Sequence, residues 1–160
     1  MEITFAQKED LGRILELLLQ VNKTHHEARP DLYDGPTTKY SYDELIHMLD
    51  DPDRPIFVAK EDDLVLGYLM AQSKYYERLR HKHPIKTFYI DDLCVDVNSR
   101  GMHVGQSLYA YAKNYAITRG FHNITLHVYG FNLDAINFYQ KMGLQTQYLC
   151  LEEVIDEDKK

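Results

Sequence analysis

The sequence predicts a single α/β domain with one mixed, mostly antiparallel central sheet flanked by about four helices. Three observations predict it. A length of 160 residues supports one substantial core and is short for two. Segments with strand and helix periodicity follow in the order β-α-α-β-β-β-α-β-α-β, without repeats, linkers or low-complexity tracts. The stretch Thr87–Leu108 reads as a long strand, then a tight loop holding an arginine and glycines, then the start of a helix.

Each element has its own signal. Ile3–Ala6 is a short strand. Leu11, Ile14, Leu15 and Leu18 share one face and predict a helix over Asp10–Asn22. The polar run Lys23–Ser41 contains prolines and lacks periodicity, so it reads as a loop of the length that carries function. Ser41, with Glu44 three residues on, makes a capping box for a helix over Tyr42–Leu49. Ile56–Lys60 and Leu64–Tyr75 form an antiparallel pair around Glu61–Asp63. The basic connection Tyr76–Lys86 leads into a strand over Thr87–Val97. Turn chemistry at Asn98–Gly101 follows, and Val104, Leu108, Tyr111, Ala112 and Tyr115 recur at helical spacing until Gly120. Asn123–Tyr129 is a strand, Asn132 caps the last helix, and Gly143 ends it. Gln145–Ile155 reads as a final strand. Residues 1–155 therefore make the domain, and 156–160 form a frayed acidic tail.

Composition narrows the function. Hydrophobic residues at 44% and charged residues at 27% fit a soluble globular protein. A net charge of −7 argues against a nucleic-acid partner, which needs a basic face. It is weakly compatible with a cationic substrate. No apolar run is long enough for a membrane span or a signal peptide, and Cys94 and Cys150 suggest no disulfide framework. The expectation is a cytoplasmic protein. The eight histidines, including His25-His26 and His81-x-His83, lack partners at ligand spacing, so no metal is expected.

Two features carry chemistry. The strand–loop–helix stretch is an anion site, because the first backbone N–H groups of a helix lack partners and its dipole favours negative charge. Within the strand, Asp91 and Asp92 alternate to opposite faces, so at least one faces a cleft or the core, where a lone acid is costly. An alkylamine, with a pKa of roughly 10, must lose a proton before attacking an acyl group, and a carboxylate is a reasonable base. Cys94 has no activating base and reads as a packed thiol. Tyrosines such as Tyr33, Tyr75 and Tyr76 could line a cleft, although strand and surface positions suit them as well.

A second stretch, Asn132–Leu144, adds specificity. Asn132, Ala135, Phe138, Tyr139 and Gly143 match Asn-x-x-Ala-x-x-Phe-Tyr-x-x-x-Gly, and Arg100-Gly101-Met102-His103-Val104-Gly105 matches a Gln/Arg-x-x-Gly-x-Gly/Ala loop. Together these resemble the Gcn5-related N-acetyltransferase (GNAT) family, and the acid pair resembles the Glu-Asp of its spermidine/spermine branch. The resemblance implies acetyl-CoA as donor and an amine as acceptor. It implies that the strand before the loop and the strand after the central helix splay apart, with pantetheine lying between them. Leu93, Cys94 and Val95 would pair with pantetheine through their backbone. Arg100, Gly101, Met102, His103, Val104, Gly105 and Gln106 would cradle the pyrophosphate, with Asn132 completing the cofactor set. By the same resemblance Asp91 is the base, with Asp92 beside it, and Tyr139 the acid that protonates the departing thiolate; Phe138 reads as packing. Arg29–Tyr33 resembles a substrate-side loop.

The departure is His103, which stands where the family has its first loop glycine. It reads as a tolerated substitution that could weaken the cradle, or as an imidazole donor to phosphate. A small amine is the favoured acceptor, and a peptide or protein amine the alternative. A non-catalytic acyl-CoA-binding module is the reading from another class, with His103 for it and Tyr139 and Asp91 against it. Relatives that dimerise suggest a homodimer through the exposed final strand.

Overall fold

A computed structural model describes residues 1–155. Five strands form one sheet in sequence order. They are β1 (Glu2–Phe5), β2 (Ile56–Glu61), β3 (Leu64–Tyr76), β4 (Ile85–Val95) and β5 (Asn123–Leu126). The first four are antiparallel neighbours, and β5 pairs parallel to β4. The helices are α1 (Leu11–Ala28), α2 (Tyr42–Leu49), α3 (Val104–Thr118) and α4 (Leu133–Lys141).

Alternation along the strands divides the core into two layers. On one face, Val58, Val65, Tyr68, Met70 and Cys94 meet Leu11, Ile14, Leu18, Leu45 and Met48 of α1 and α2. On the other, Phe57, Leu69, Phe88 and Ile90 meet Val104, Leu108 and Ala112 of α3, with Phe138 of α4 packed against them. The local signals act as expected. Ser41 accepts from the Glu44 N–H and Glu44 reaches back to the Ser41 N–H. Asn132 accepts from the Ala135 N–H.

Several boundaries differ from the sequence reading, among them β4, which begins at Ile85 within the expected connection Tyr76–Lys86. Helix α1 continues through Ala28 because nothing breaks it before Arg29, where the following Pro30 disfavours helical backbone. Its last turn then holds His25 and His26, which suit a helix C-terminus. Strand β4 ends at Val95 because Asp96 turns the chain, its carboxylate accepting from the Asn98 N–H. Strand β5 stops at Leu126, where its pairing with β4 ends at Ile90. The largest correction concerns Gln145–Ile155, which forms no strand. Its apolar side chains have no face to cover: Leu149 is 80% and Leu151 90% exposed. Alternating β-propensity cannot hold a strand without a paired edge, so the edge expected to serve a dimer is not formed. The acidic tail 156–160 lies outside the described residues. Among the described residues, no helix is long and apolar enough to cross a membrane.

Candidate active site

The site begins with one extra residue in β4. Met70 of β3 pairs with Asp92, but the next residue, Ala71, pairs with Ile90, leaving Asp91 without a counterpart. This is a β-bulge, and it changes which way the acids point. Ile90 and Leu93 both pack toward α3. Asp91 and Asp92 between them both face the α1–α2 side. Asp91 accepts from the Tyr40 hydroxyl (2.7 Å), and Asp92 from the Tyr68 hydroxyl (2.9 Å). Strict alternation had predicted opposite faces; the bulge places both carboxylates together.

The same residue marks where the sheet opens. Parallel pairing of β4 with β5 ends at Ile90–Leu126, while β4 runs on to Val95. On its other side β4 stays bonded to β3, and the Asp96 N–H donates to the Leu66 carbonyl (2.8 Å). Antiparallel alternation then turns Cys94 toward β3 and leaves the backbone of Leu93 and Val95 on the open side. Of the three residues expected to offer backbone there, Leu93 and Val95 are so directed and Cys94 is not. The Cys94 thiol is buried against α1, and burial pushes it up to about 12. It is no thiolate at neutral pH. Gln20 of α1 secures the end of the strand, donating to the Val95 carbonyl (2.9 Å) and accepting from the Val97 N–H (3.2 Å).

Beyond the strand, Arg100, Gly101 and Met102 form an exposed loop, with Gly101 at φ 81°. His103 precedes α3 at φ 60° and ψ 16°, the left-handed geometry that a glycine would supply. Its ring caps nothing; Nδ1 lies 2.6 Å from Gln106 Oε1. The first backbone bond into α3 is from the Ser107 N–H to the His103 carbonyl (3.0 Å). The amides of Val104, Gly105 and Gln106 therefore have no backbone acceptor among the described residues and point out of the helix end. That is the donor set a pyrophosphate needs, so these residues fit CoA. Gly105 has a second reason to be glycine: a Cβ there would lie 3.3 Å from the Phe138 ring. The loop and the Asn132–Leu144 stretch are thus packed against each other.

Tyr139 extends from α4, and its hydroxyl has no hydrogen-bond partner among the described residues. Burial, then the neighbouring Asp92 carboxylate and Tyr109, hold it well above the ordinary tyrosine range. It stays a proton donor throughout the neutral range. Asp92 is raised to about 6, chiefly by burial, against the opposing Tyr68 hydrogen bond and Lys39 charge. Asp91 is held by Lys39, whose Nζ lies 2.8 Å from Oδ1. Asn132 lines a recess of about 270 Å³ with Thr24, Phe131, Leu133 and Asp134, between α1 and α4.

Sequence reasoning missed Lys39, Tyr40 and Tyr68. Tyr68 was legible in principle, because it alternates with Met70 on an apolar face where a hydroxyl needs a partner. Lys39 and Tyr40 sit in an aperiodic segment and carried no signal. Of the tyrosines singled out, Tyr33 donates to the Tyr129 hydroxyl (2.8 Å). Tyr75 and Tyr76 line a separate shallow recess near Pro84 and Lys86. Arg29 pairs with Asp31 and Glu152.

Three solved structures share this architecture. A mutant of the BH1408 protein from Bacillus halodurans superposes with a TM-score of 0.93 at 25% identity, covering 97% of this chain and 99% of that one. An aminoglycoside acetyltransferase from an uncultured soil metagenomic sample, in complex with trehalose, gives 0.69 at 18%, covering 97% and 96%. An aminoglycoside N-acetyltransferase in complex with CoA gives 0.71 at 13%, covering 96% and 98%. No curated protein matches the sequence. The model of the acetyltransferase (GNAT) family matches residues 20–144, the span from the Gln20 clasp to the end of the Asn132–Leu144 stretch. On that match, over a sheet opened at Asp91 and a helix end with free amides, the chain belongs to the acetyltransferase (GNAT) family.

Proposed function

We propose that this N-acetyltransferase transfers the acetyl group of acetyl-CoA to a primary amine of a small molecule, by direct transfer in a ternary complex. The observation that carries the reading is the bulge that turns Asp91 and Asp92 to one face, where the open edge begins. Two acids set among the hydroxyls of Tyr40 and Tyr68 suit a cationic amine. The likeness of the pair to that of the spermidine/spermine branch points the same way. Two structural neighbours are aminoglycoside acetyltransferases, so aminoglycosides belong among the acceptors to be tested.

Bound acetyl-CoA supplies an acyl group activated as a thioester. The chain's part is to bind and to move protons. The backbone of Leu93 and Val95 offers donors and acceptors to an extended amide chain, and the amides at the start of α3 hold the phosphates. The Asp91–Asp92 pair takes the acceptor's proton. Asp92, raised to about 6, is the better matched base near neutral pH, whereas Asp91 binds the ammonium. This assignment departs from the resemblance, which makes Asp91 the base. Tyr139 holds the proton for the departing sulfur.

The test is CoA release by the purified protein against polyamines, amino acids, aminoglycosides and short peptides, with Tyr139→Phe in parallel. Turnover with one small-amine class, reduced in the variant, is the expected result. Turnover with peptides alone would replace the small-molecule reading, and binding of acetyl-CoA without turnover would favour a non-catalytic module.

A further inference from the structure

Lys39 sits where an acceptor should. Its ammonium lies 2.8 Å from Asp91 Oδ1 and 3.3 Å from the Asp91 carbonyl. The face of Tyr40 closes a third side, with the ring centroid 5.5 Å from Nζ. A carboxylate, a carbonyl and an aromatic ring around one cation are the groups that recognise an alkylammonium. Asp91 is also the first residue of β4 beyond the last pairing with β5, so this ammonium stands at the mouth of the open edge. Tyr40, the next residue, is tied to the other carboxylate oxygen of Asp91 (2.7 Å), which pins the segment in place. Lys39 is nevertheless accessible, with 46% of its side chain exposed.

We infer that Lys39 is itself an acceptor, acetylated intramolecularly by bound acetyl-CoA. The inference rests on the proposed acceptor site. The Lys39 ammonium gives a proton to the acid pair, and the freed Nζ lone pair forms a bond to the acetyl carbonyl carbon. The carbon–sulfur bond breaks, the thiolate of CoA takes the Tyr139 proton, and the second proton shed by Nζ as the amide forms restores Tyr139. The products are Nε-acetyl-Lys39, CoA and one proton released to solvent through the acids; no oxidant or second co-reactant is needed. Acetylation removes the charge that holds Lys39 on Asp91, so it vacates the ammonium site.

The experiment incubates the full chain with acetyl-CoA alone and follows each lysine by peptide mass spectrometry. Lys23, 76% exposed on α1, is the internal control for uncatalysed labelling. Lys39 should gain one acetyl group roughly 100-fold faster than Lys23, at a rate independent of protein concentration. Tyr139→Phe should slow Lys39 and leave Lys23 unchanged, and Lys39→Arg should abolish the fast label while keeping a cation on Asp91. Labelling of Lys39 no faster than Lys23, or at a rate proportional to protein concentration, would overturn the inference. Turnover of a free amine with Lys39 unlabelled would overturn it too, and leave the small-amine reading standing. Fast labelling of Lys39 with no free amine used would support it, and defeat that reading instead.

Discussion

Replacing Asp92 by asparagine should stabilise the protein while disabling it. In the folded chain the Asp92 carboxyl is raised from 3.8 to about 6, mainly by burial. That gap of about two pH units, at about 1.4 kcal/mol each, means that ionised Asp92 costs the native state on the order of 2–3 kcal/mol at neutral pH. The sign follows from proton binding. Between 3.8 and about 6 the folded state holds the proton and the unfolded state does not. Asp92's contribution is therefore most favourable below 3.8 and is lost as pH rises through 6. Asparagine matches the size and still accepts the Tyr68 hydroxyl bond through its amide oxygen. Denaturant unfolding of both proteins at several pH values should show Asp92→Asn ahead by about 2 kcal/mol at pH 7–8, with the gap closing toward pH 4. Its kcat should fall by roughly 100-fold or more if Asp92 is the base. A stability gap independent of pH, or a less stable variant, would refute the burial argument. Unchanged kcat would return the base to Asp91.

Other perturbations test other parts of the site. Tyr139→Phe should lower kcat by roughly 100-fold with unchanged CoA affinity, because the ring stays and only the proton donor goes; a loss of CoA binding would make Tyr139 structural. His103→Gly should raise stability by about 1 kcal/mol by relieving a left-handed non-glycine residue. Its CoA affinity, measured by calorimetry, should not change, since the backbone already holds the required geometry; tighter binding would show that the imidazole obstructs the cradle. Gly67→Ala would put a Cβ 2.7 Å from the Cys94 carbonyl and force β3 and β4 apart. It should cost about 1–3 kcal/mol in denaturant unfolding, and an unaffected midpoint would contradict the close approach.

What the sequence disclosed follows from the range of the forces involved. Capping at Ser41 and Asn132 and the glycine stop at Gly120 depend on atoms a few residues apart, so they were legible. The loop before α3 was legible for the same reason, since its donors are backbone groups whose availability depends on local geometry. The Asp91 bulge was not, because it is a relation between two strands: nothing in Ile90–Leu93 says that β3 lacks a counterpart for one residue. The ion pair of Lys39 spans a loop to reach β4 and has no periodic signature. The segment Gln145–Ile155 misled because β-propensity reports what would fit a pleated surface and not whether an edge is available.

The bulge ties these observations to a single cause. Had β4 kept strict alternation, one of Asp91 and Asp92 would have pointed into the layer beneath α3, among Phe88, Ile90 and Leu108. An isolated carboxylate there would have been a buried charge without a partner. One unpaired residue instead sends both acids toward Tyr40 and Tyr68, where hydroxyls satisfy them. It also coincides with the end of β5 pairing at Ile90, and bulges bend the strand that carries them. The feature that gathers the acids therefore also marks the start of the open edge, so an acceptor held at Asp91 necessarily stands at the entrance to the backbone of Leu93 and Val95. Deleting Asp91 should, on this argument, do more than remove a carboxylate. It should restore the ladder with Asp92 still facing Tyr68, and abolish acceptor and CoA binding together, whereas Asp91→Asn should weaken acceptor binding alone. Equal CoA affinity in the two variants, measured by calorimetry, would separate the bulge from the opening of the sheet.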